Sequence, residues 1–165
     1  MFSELAARHP ARAENMAFGM EALATIYQDS VVVDNYDWAK LGKATIVDVG
    51  GGKGYVCRTL AKYFPDLSFI VQDLEDTANA GRDICPEEFK ERIKFMTHDF
   101  FSEQPVKGAD VYFFRAIFHD WPEKYCVKIL RNLIPALKKG SRVVIQDPHT
   151  MDPTTMAPWQ ERETR

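Results

Sequence analysis

The sequence predicts an α/β fold in which short parallel strands alternate with helices, and three observations predict it. An apolar run, Ile46-Val47-Asp48-Val49, is followed at once by Gly50-Gly51-Gly52-Lys53-Gly54. Such a run is how a buried parallel strand hands the chain to a glycine loop and then to a helix whose free N–H groups meet a nucleotide-like ligand. Further apolar runs recur downstream, separated by helical patterns, which implies a parallel sheet with right-handed crossovers. Finally, 165 residues with 45% hydrophobic and 27% charged side chains suit one globular domain with a real core.

In chain order, residues 2–27 read as helical with a break near Pro10, and Phe18, Ala22 and Ile26 form a packing stripe. Val31 to Val33 reads as a short extended run, Asp34-Asn35-Tyr36-Asp37 as a turn, and Trp38 to Leu41 as one helical turn before Gly42. Ala44 to Val49 is the first strand. Lys53 to Tyr63 is a helix that stops before Pro65. Ser68 to Gln72 is the second strand, Asp73 to Asp76 its exit loop, and Thr77 to Asp83 a helix. Ile93 to Thr97 and Ala109 to Arg115 are the third and fourth strands. Pro122 to Leu137 is an amphipathic helix with Val127, Leu130, Leu133, Ile134 and Leu137 on one face, ended by Gly140. Arg142 to Gln146 is the fifth strand. The tail contains Pro148, Pro153 and Pro158 and starts a charged helical segment at Trp159.

Composition narrows the function. A net charge of −3 argues against nucleic acid as the main partner, because phosphate binding calls for a basic surface. Cys57, Cys85 and Cys126 are odd in number and widely spaced. They suggest neither a metal site nor a disulfide framework, and point to a reducing, cytoplasmic setting. Met1 to Met20 has no signal-peptide core, and no apolar run approaches a membrane span.

Ligands of open α/β sheets bind at the carboxyl ends of the strands. Asp48, Gly50, Gly52 and Gly54 fit D-x-G-x-G-x-G, whereas the dinucleotide pattern G-x-G-x-x-G would need glycine where Tyr55 stands. Asp73, after the second strand, can accept the two hydroxyls of a ribose, or else is a loop acid near a helix start. After the third strand, Asp99 can accept from an adenine amino group while Phe100 packs on the base; the alternative is a turn acid beside core phenylalanines. His98 is assigned to the strand. After the fourth strand come Arg115, His119, Asp120, Trp121 and Pro122. Pro122 suits a first helical turn and Asp120 can cap it. His119 is either a histidine in a helix-entry turn or a general base at the mouth of the pocket. His9 and His149 read as surface residues.

Four motifs in order carry a resemblance: Asp48 to Gly54, Val71-Gln72-Asp73-Leu74, His98-Asp99-Phe100-Phe101, and Arg115-Ala116-Ile117-Phe118-His119-Asp120-Trp121-Pro122. With Gln104 to Tyr112 between them, the chain resembles the cation-independent S-adenosylmethionine-dependent O-methyltransferases of the caffeic-acid type, in the branch of fungal secondary metabolism. The resemblance implies a Rossmann-like class I methyltransferase domain of about five parallel strands in the order 3-2-1-4-5, with helices on both faces. It implies that Gly50 and Gly51 meet the methionine part of S-adenosyl-L-methionine, Asp73 the ribose, Asp99 and Phe100 the adenine, and that Arg115 also contacts the cofactor. His119 falls on the family's base and Asp147 on its acidic partner, with Asp120 as a further support. No metal is implied. The acceptor is a hydroxyl, usually phenolic, of a small aromatic metabolite. A phenol near pKa 10 and an imidazole near 6.5 differ by roughly 3.5 units, about 5 kcal/mol. Acids beside the imidazolium, the sulfonium charge and close positioning must offset that difference.

Against the family pattern the sequence reads as truncated at both ends. Residues 1–40 are expected to be the last connecting helix of a dimerisation region that makes intact members homodimers. Residues 41–150 are the cofactor-binding core, and 151–165 begin an incomplete helix. Without the family's final strands the fifth strand becomes an exposed apolar edge. The main alternative is therefore a methyltransferase-like module that binds the cofactor without turnover. A nicotinamide-dependent reductase is disfavoured by Tyr55 and Asp48.

Overall fold

Five strands pair in parallel in the order β3-β2-β1-β4-β5, as expected. β1 is Ala44–Val49, β2 Leu67–Asp73, β3 Ile93–Thr97, β4 Val111–Arg115 and β5 Arg142–Gln146. The computed structural model describes residues 29–147. The expected helix at 2–27, the tail helix at Trp159, His9 and His149 lie outside them. Two compact units divide the chain, Met1–Lys40 and Leu41–Arg165.

In the first unit Asp29–Val33 is helical (α1), not extended. Three valines disfavour a helix only weakly, and a strand needs a neighbour to pair with. The Trp38 indole N–H instead donates to the carbonyl of Val32 at 2.8 Å and so satisfies one carbonyl of the helix end. The expected turn at Trp38–Leu41 is present as a 3-10 helix.

The central strands β1 and β4 are buried on both sides because helices cover both faces there. Asp48, Val71, Phe95 and Phe113 stand in one register row. Their face meets α2 (Tyr55–Tyr63) through Cys57, whose thiol donates to Asp48. It meets α3 (Glu75–Asp83) through Gly81, which lies against Phe95. The opposite face carries Val47, Val49, Tyr112 and Phe114, packed on Ile129, Leu133 and Ala136. Central β1 and β4 are therefore almost wholly apolar and buried, as parallel strands covered on both faces must be.

Several boundaries shift for physical reasons. α2 begins at Tyr55 rather than Lys53, because Gly54 holds the left-handed N-cap. β2 runs on to Asp73 and α3 begins at Glu75, so the exit loop shrinks to Leu74. β4 begins at Val111. α4 (Glu123–Leu133) ends early and a 3-10 turn, Ile134–Ala136, follows. Pro135 has no N–H, and its ring would clash with the carbonyl of Arg131. The expected apolar face is also corrected. Ile129, Leu133 and Ala136 are buried, while Val127, Leu130, Ile134 and Leu137 are 36–62% exposed. Both sides of this segment are apolar, so spacing alone could not choose between them. Among the described residues β5 is the outermost strand on its side of the sheet, with Val143 and Ile145 exposed.

At the amino-terminal end of the sheet one phenol ties three segments together. The Tyr112 hydroxyl lies 2.8 Å from the carbonyl oxygen of Val106 and 2.9 Å from that of Ala136, and it accepts the N–H of Ala109 at 3.2 Å. Tyr112→Phe keeps the ring but leaves the Ala109 N–H and the Val106 carbonyl without this partner, while the Ala136 carbonyl still accepts the N–H of Gly108. It should lower the unfolding free energy by about 1–3 kcal/mol, read as a shift in the urea midpoint at unchanged m-value.

Candidate cofactor and proton-transfer site

The chain leaves β1 through Gly50, whose φ of 74° suits glycine alone. The N–H groups of Gly50 and Gly51 both donate to the carbonyl of Gln72, at 2.8 and 3.0 Å. The loop is thereby folded back over the end of β2. A Cβ at Gly50 would lie 2.5 Å from Ile117 Cδ1, and one at Gly51 would lie 2.5 Å from Asp48 Oδ2. Neither position has room for a side chain.

Asp73 completes this corner. One carboxylate oxygen accepts the N–H of Gly52 at 2.9 Å and the other the N–H of Leu74 at 2.8 Å. The Thr77 hydroxyl adds a third donor, while burial pushes the carboxyl above its ordinary range. Asp73 thus helps shape the glycine loop and also stands at the strand tip. Asp99 is exposed; its Oδ1 accepts the N–H of Phe101 at 2.9 Å, closing the turn that presents Phe100. Phe100 Cε1 approaches the Gly50 Cβ position to 3.6 Å. Its ring meets Phe101 and Trp121 edge to face at 5.0 and 6.0 Å. His98 lies one residue beyond β3, with its N–H on the Asp73 carbonyl.

Beneath the loop Asp48 is 1% exposed. Burial pushes its pKa up to about 6, against the lowering influence of the Cys57 thiol and of Arg115 nearby. Arg115 ends β4 opposite Gln146. Ala116 then takes φ 54°, a left-handed conformation that costs a non-glycine residue about 1–3 kcal/mol. The neighbouring strand end holds it there. Ala116 N–H donates to the Gln146 carbonyl at 3.0 Å, and the two oxygens of Asp147 accept the N–H groups of Ile117 and Phe118 at 2.9 and 3.0 Å. These bonds build the 3-10 turn Phe118–Asp120 that carries His119. Asp147 therefore acts on the backbone of the turn. The carboxylate beside the imidazole is that of Asp120, with Oδ2 3.7 Å from Nε2. Asp120 does not cap α4: Trp121 and Pro122 are extended and intervene, and Pro122 takes the N-cap position.

Sequence reasoning missed three participants: Ile117, which joins the His119 turn to the glycine loop, and Gln72 with Gln104. The two glutamines are 0% and 3% exposed and exchange two amide hydrogen bonds of 2.7 and 2.8 Å. No local pattern announces a pair 32 residues apart.

Asp48 sets a pH dependence. Its folded pKa of about 6 exceeds the ordinary 3.8, so the native state holds the proton more tightly than the unfolded chain. The contribution to stability is complete below about pH 4 and is lost as pH rises through 6. Roughly 2 units correspond to about 3 kcal/mol. The stability difference between Asp48→Asn and the parent should shift by about that amount in favour of Asn between about pH 4 and pH 7, measured by urea denaturation across the range.

The family model described as "O-methyltransferase domain" matches residues 2–158. The chain is 47% identical over 162 residues to the grayanic acid biosynthesis cluster O-methyltransferase of Cladonia grayi, across 95% of this chain and 36% of that protein. It is 45% identical over 161 residues to the chlorophenol O-methyltransferase of Trichoderma longibrachiatum, across 94% and 34%. Its fold matches the O-methyltransferase NcsB1 from neocarzinostatin biosynthesis, solved with S-adenosyl-L-homocysteine and 1,4-dihydroxy-2-naphthoic acid, with TM-score 0.74 and 31% identity over 86% of this chain and 42% of that one. The chain spans about a third of the length of these two curated relatives. It belongs to the O-methyltransferase domain family.

Proposed function

We propose that this chain is the cofactor-binding and base-carrying part of an S-adenosylmethionine-dependent O-methyltransferase that acts on a phenolic hydroxyl of a small aromatic metabolite. The observation that carries the reading is the contact between Ile117 and Gly50. It sets the turn bearing His119 against the loop that would receive the methionine part of the donor.

The strand tips suit an adenosyl group on physical grounds. The Cβ positions of Gly50 and Gly51 are filled by Ile117 and Asp48, whereas the space over Gly52 is open, so a ligand can approach the backbone of the loop there. Asp73 offers a preorganised carboxylate to the ribose hydroxyls, and Asp99 with Phe100 offers an acceptor and a ring edge to the adenine. Arg115 stands at the rim of the same corner. When bound, S-adenosylmethionine supplies an activated methyl group on a sulfonium. The chain's own part is to hold the acceptor's oxygen and remove its proton. His119 takes that proton on its imidazole, and Asp120 Oδ2, 3.7 Å from Nε2, stabilises the resulting charge. Asp147 fixes the direction of the ring by fixing the turn. The names of the chlorophenol enzyme and of the naphthoic acid complex support an aromatic hydroxyl acceptor.

Methyl-labelled S-adenosylmethionine with a panel of phenols tests this. His119→Ala should lower transfer by about 10²–10⁴-fold while S-adenosylhomocysteine affinity stays within about threefold. Asp73→Ala should weaken that affinity by about 10–100-fold, as expected for lost hydrogen bonds to a charged group. If both variants lose only affinity, His119 is not the base. Retained label with no transfer to any phenol would favour the binding-module alternative.

A further inference from the structure

We propose that the buried amide pair of Gln72 and Gln104 is a positioning clasp that sets the adenine side of the cofactor pocket in register with the glycine loop. The proposal rests on the reading of Asp99 and Phe100 given above and extends it to residues that touch no ligand.

Four sets of bonds meet at this pair. The main-chain carbonyl of Gln72 receives Gly50 and Gly51, and the next residue, Asp73, receives Gly52. The Gln72 side chain leaves the other way, exchanging paired bonds with Gln104 and reaching Met96 Sδ at 3.5 Å. Gln104 Oε1 also accepts the N–H of Val106 at 3.1 Å, and its own N–H donates to the Asn132 carbonyl on α4 at 3.0 Å. Asn132 Nδ2 returns to the carbonyl of Phe100 at 3.3 Å. The segment from Asp99 to Gln104 is therefore hung between β2 and α4, and one residue of β2 holds both this segment and the glycine loop.

The chemistry favours a positioning role over a purely structural one. A doubly bonded amide pair accepts one relative placement, since each group must give and take a hydrogen bond at once. Burying two amides gives little net stability, and replacing both by apolar groups of similar shape is close to neutral. What an apolar pair lacks is direction. Without the clasp, the turn carrying Asp99 and Phe100 keeps the main-chain bonds of His98 to Asp73 and of Gln104 to Asn132, but its far end loses the tie to β2 and the carboxylate its fixed distance from the glycine loop.

The test compares two probes by titration calorimetry, S-adenosylhomocysteine and S-inosylhomocysteine, in which a carbonyl replaces the adenine amino group. The parent protein should prefer the adenosyl compound by about tenfold or more, because Asp99 can accept from an amino group and repels a carbonyl. In Gln104→Leu the preference should fall below about threefold. The double variant Gln72→Leu with Gln104→Leu leaves no side-chain amide stranded and takes an acceptor only from the part-buried Val106 N–H. It should melt within a few degrees of the parent yet show the same loss of preference, which a merely structural pair would not produce. A parent that binds both probes equally overturns the Asp99 reading and the clasp with it. A parent that discriminates, alongside a folded double variant that discriminates equally well, overturns the clasp alone.

Discussion

Two amide groups, those of Gly50 and Gly51, converge on one acceptor, the carbonyl oxygen of Gln72. The rest of the corner depends on that convergence. A parallel strand delivers its chain to the carboxyl edge of the sheet with no partner for the next N–H groups. Here the neighbouring strand supplies one, and the loop bends sideways over β2 instead of rising into solvent. Once bent, Gly52 falls within reach of the Asp73 carboxylate. The side chains that would obstruct the bend are absent: Ile117 occupies the space above Gly50, and Asp48 the space below Gly51.

The other half of the site is held by strain and its compensation. Ala116 sits in a conformation that L-residues avoid, and the end of β5 keeps it there with three hydrogen bonds from Gln146 and Asp147. An outlier held by its surroundings in this way is a mark of sites that need a side chain aimed. Three positions on, the turn carries His119, the proposed base. The consequence is that β5, the outermost described strand of the sheet, sets the geometry of the proposed base through its last residue, Gln146, and the residue after it, Asp147.

Electrostatics connects the halves. Asp48 lies buried under the loop with Cys57 as its hydrogen-bond donor, Arg115 from β4 nearby and Asp73 close enough to raise its pKa. Three motif residues that are separate in the sequence thus share one field. A change in the charge of Asp73 or Arg115 alters the proton affinity of Asp48 beneath the glycine loop.

Much of this was legible in the sequence, for local reasons. Ala44–Val49, Ile93–Thr97 and Arg142–Gln146 have the bounds that their residue patterns predict, because each is a short run rich in β-formers bounded by turn signals and has a neighbouring strand to pair with. Asp73 and Arg115 end their strands, and Asp99 and His119 lie in the turns that follow theirs, the side of the sheet to which their order in the sequence assigned them. What failed was whatever needed a partner distant in sequence. Val31 to Val33 has the composition of a strand, but no strand among the described residues pairs with it, and it is helix. α4 carries apolar residues on two sides, and only packing decided that Ile129 and Leu133 face inward. The sequence alone determined the parallel α/β frame, the glycine loop and the identity of the residues at its edge, because these follow from periodicity and from the conformational freedom of glycine. The tertiary structure alone decided that Asp147 grips a backbone turn, that Asp120 faces the imidazole, and that Gln72 meets Gln104, because hydrogen-bond pairing is settled by which groups are left without water when the sheet and helices close.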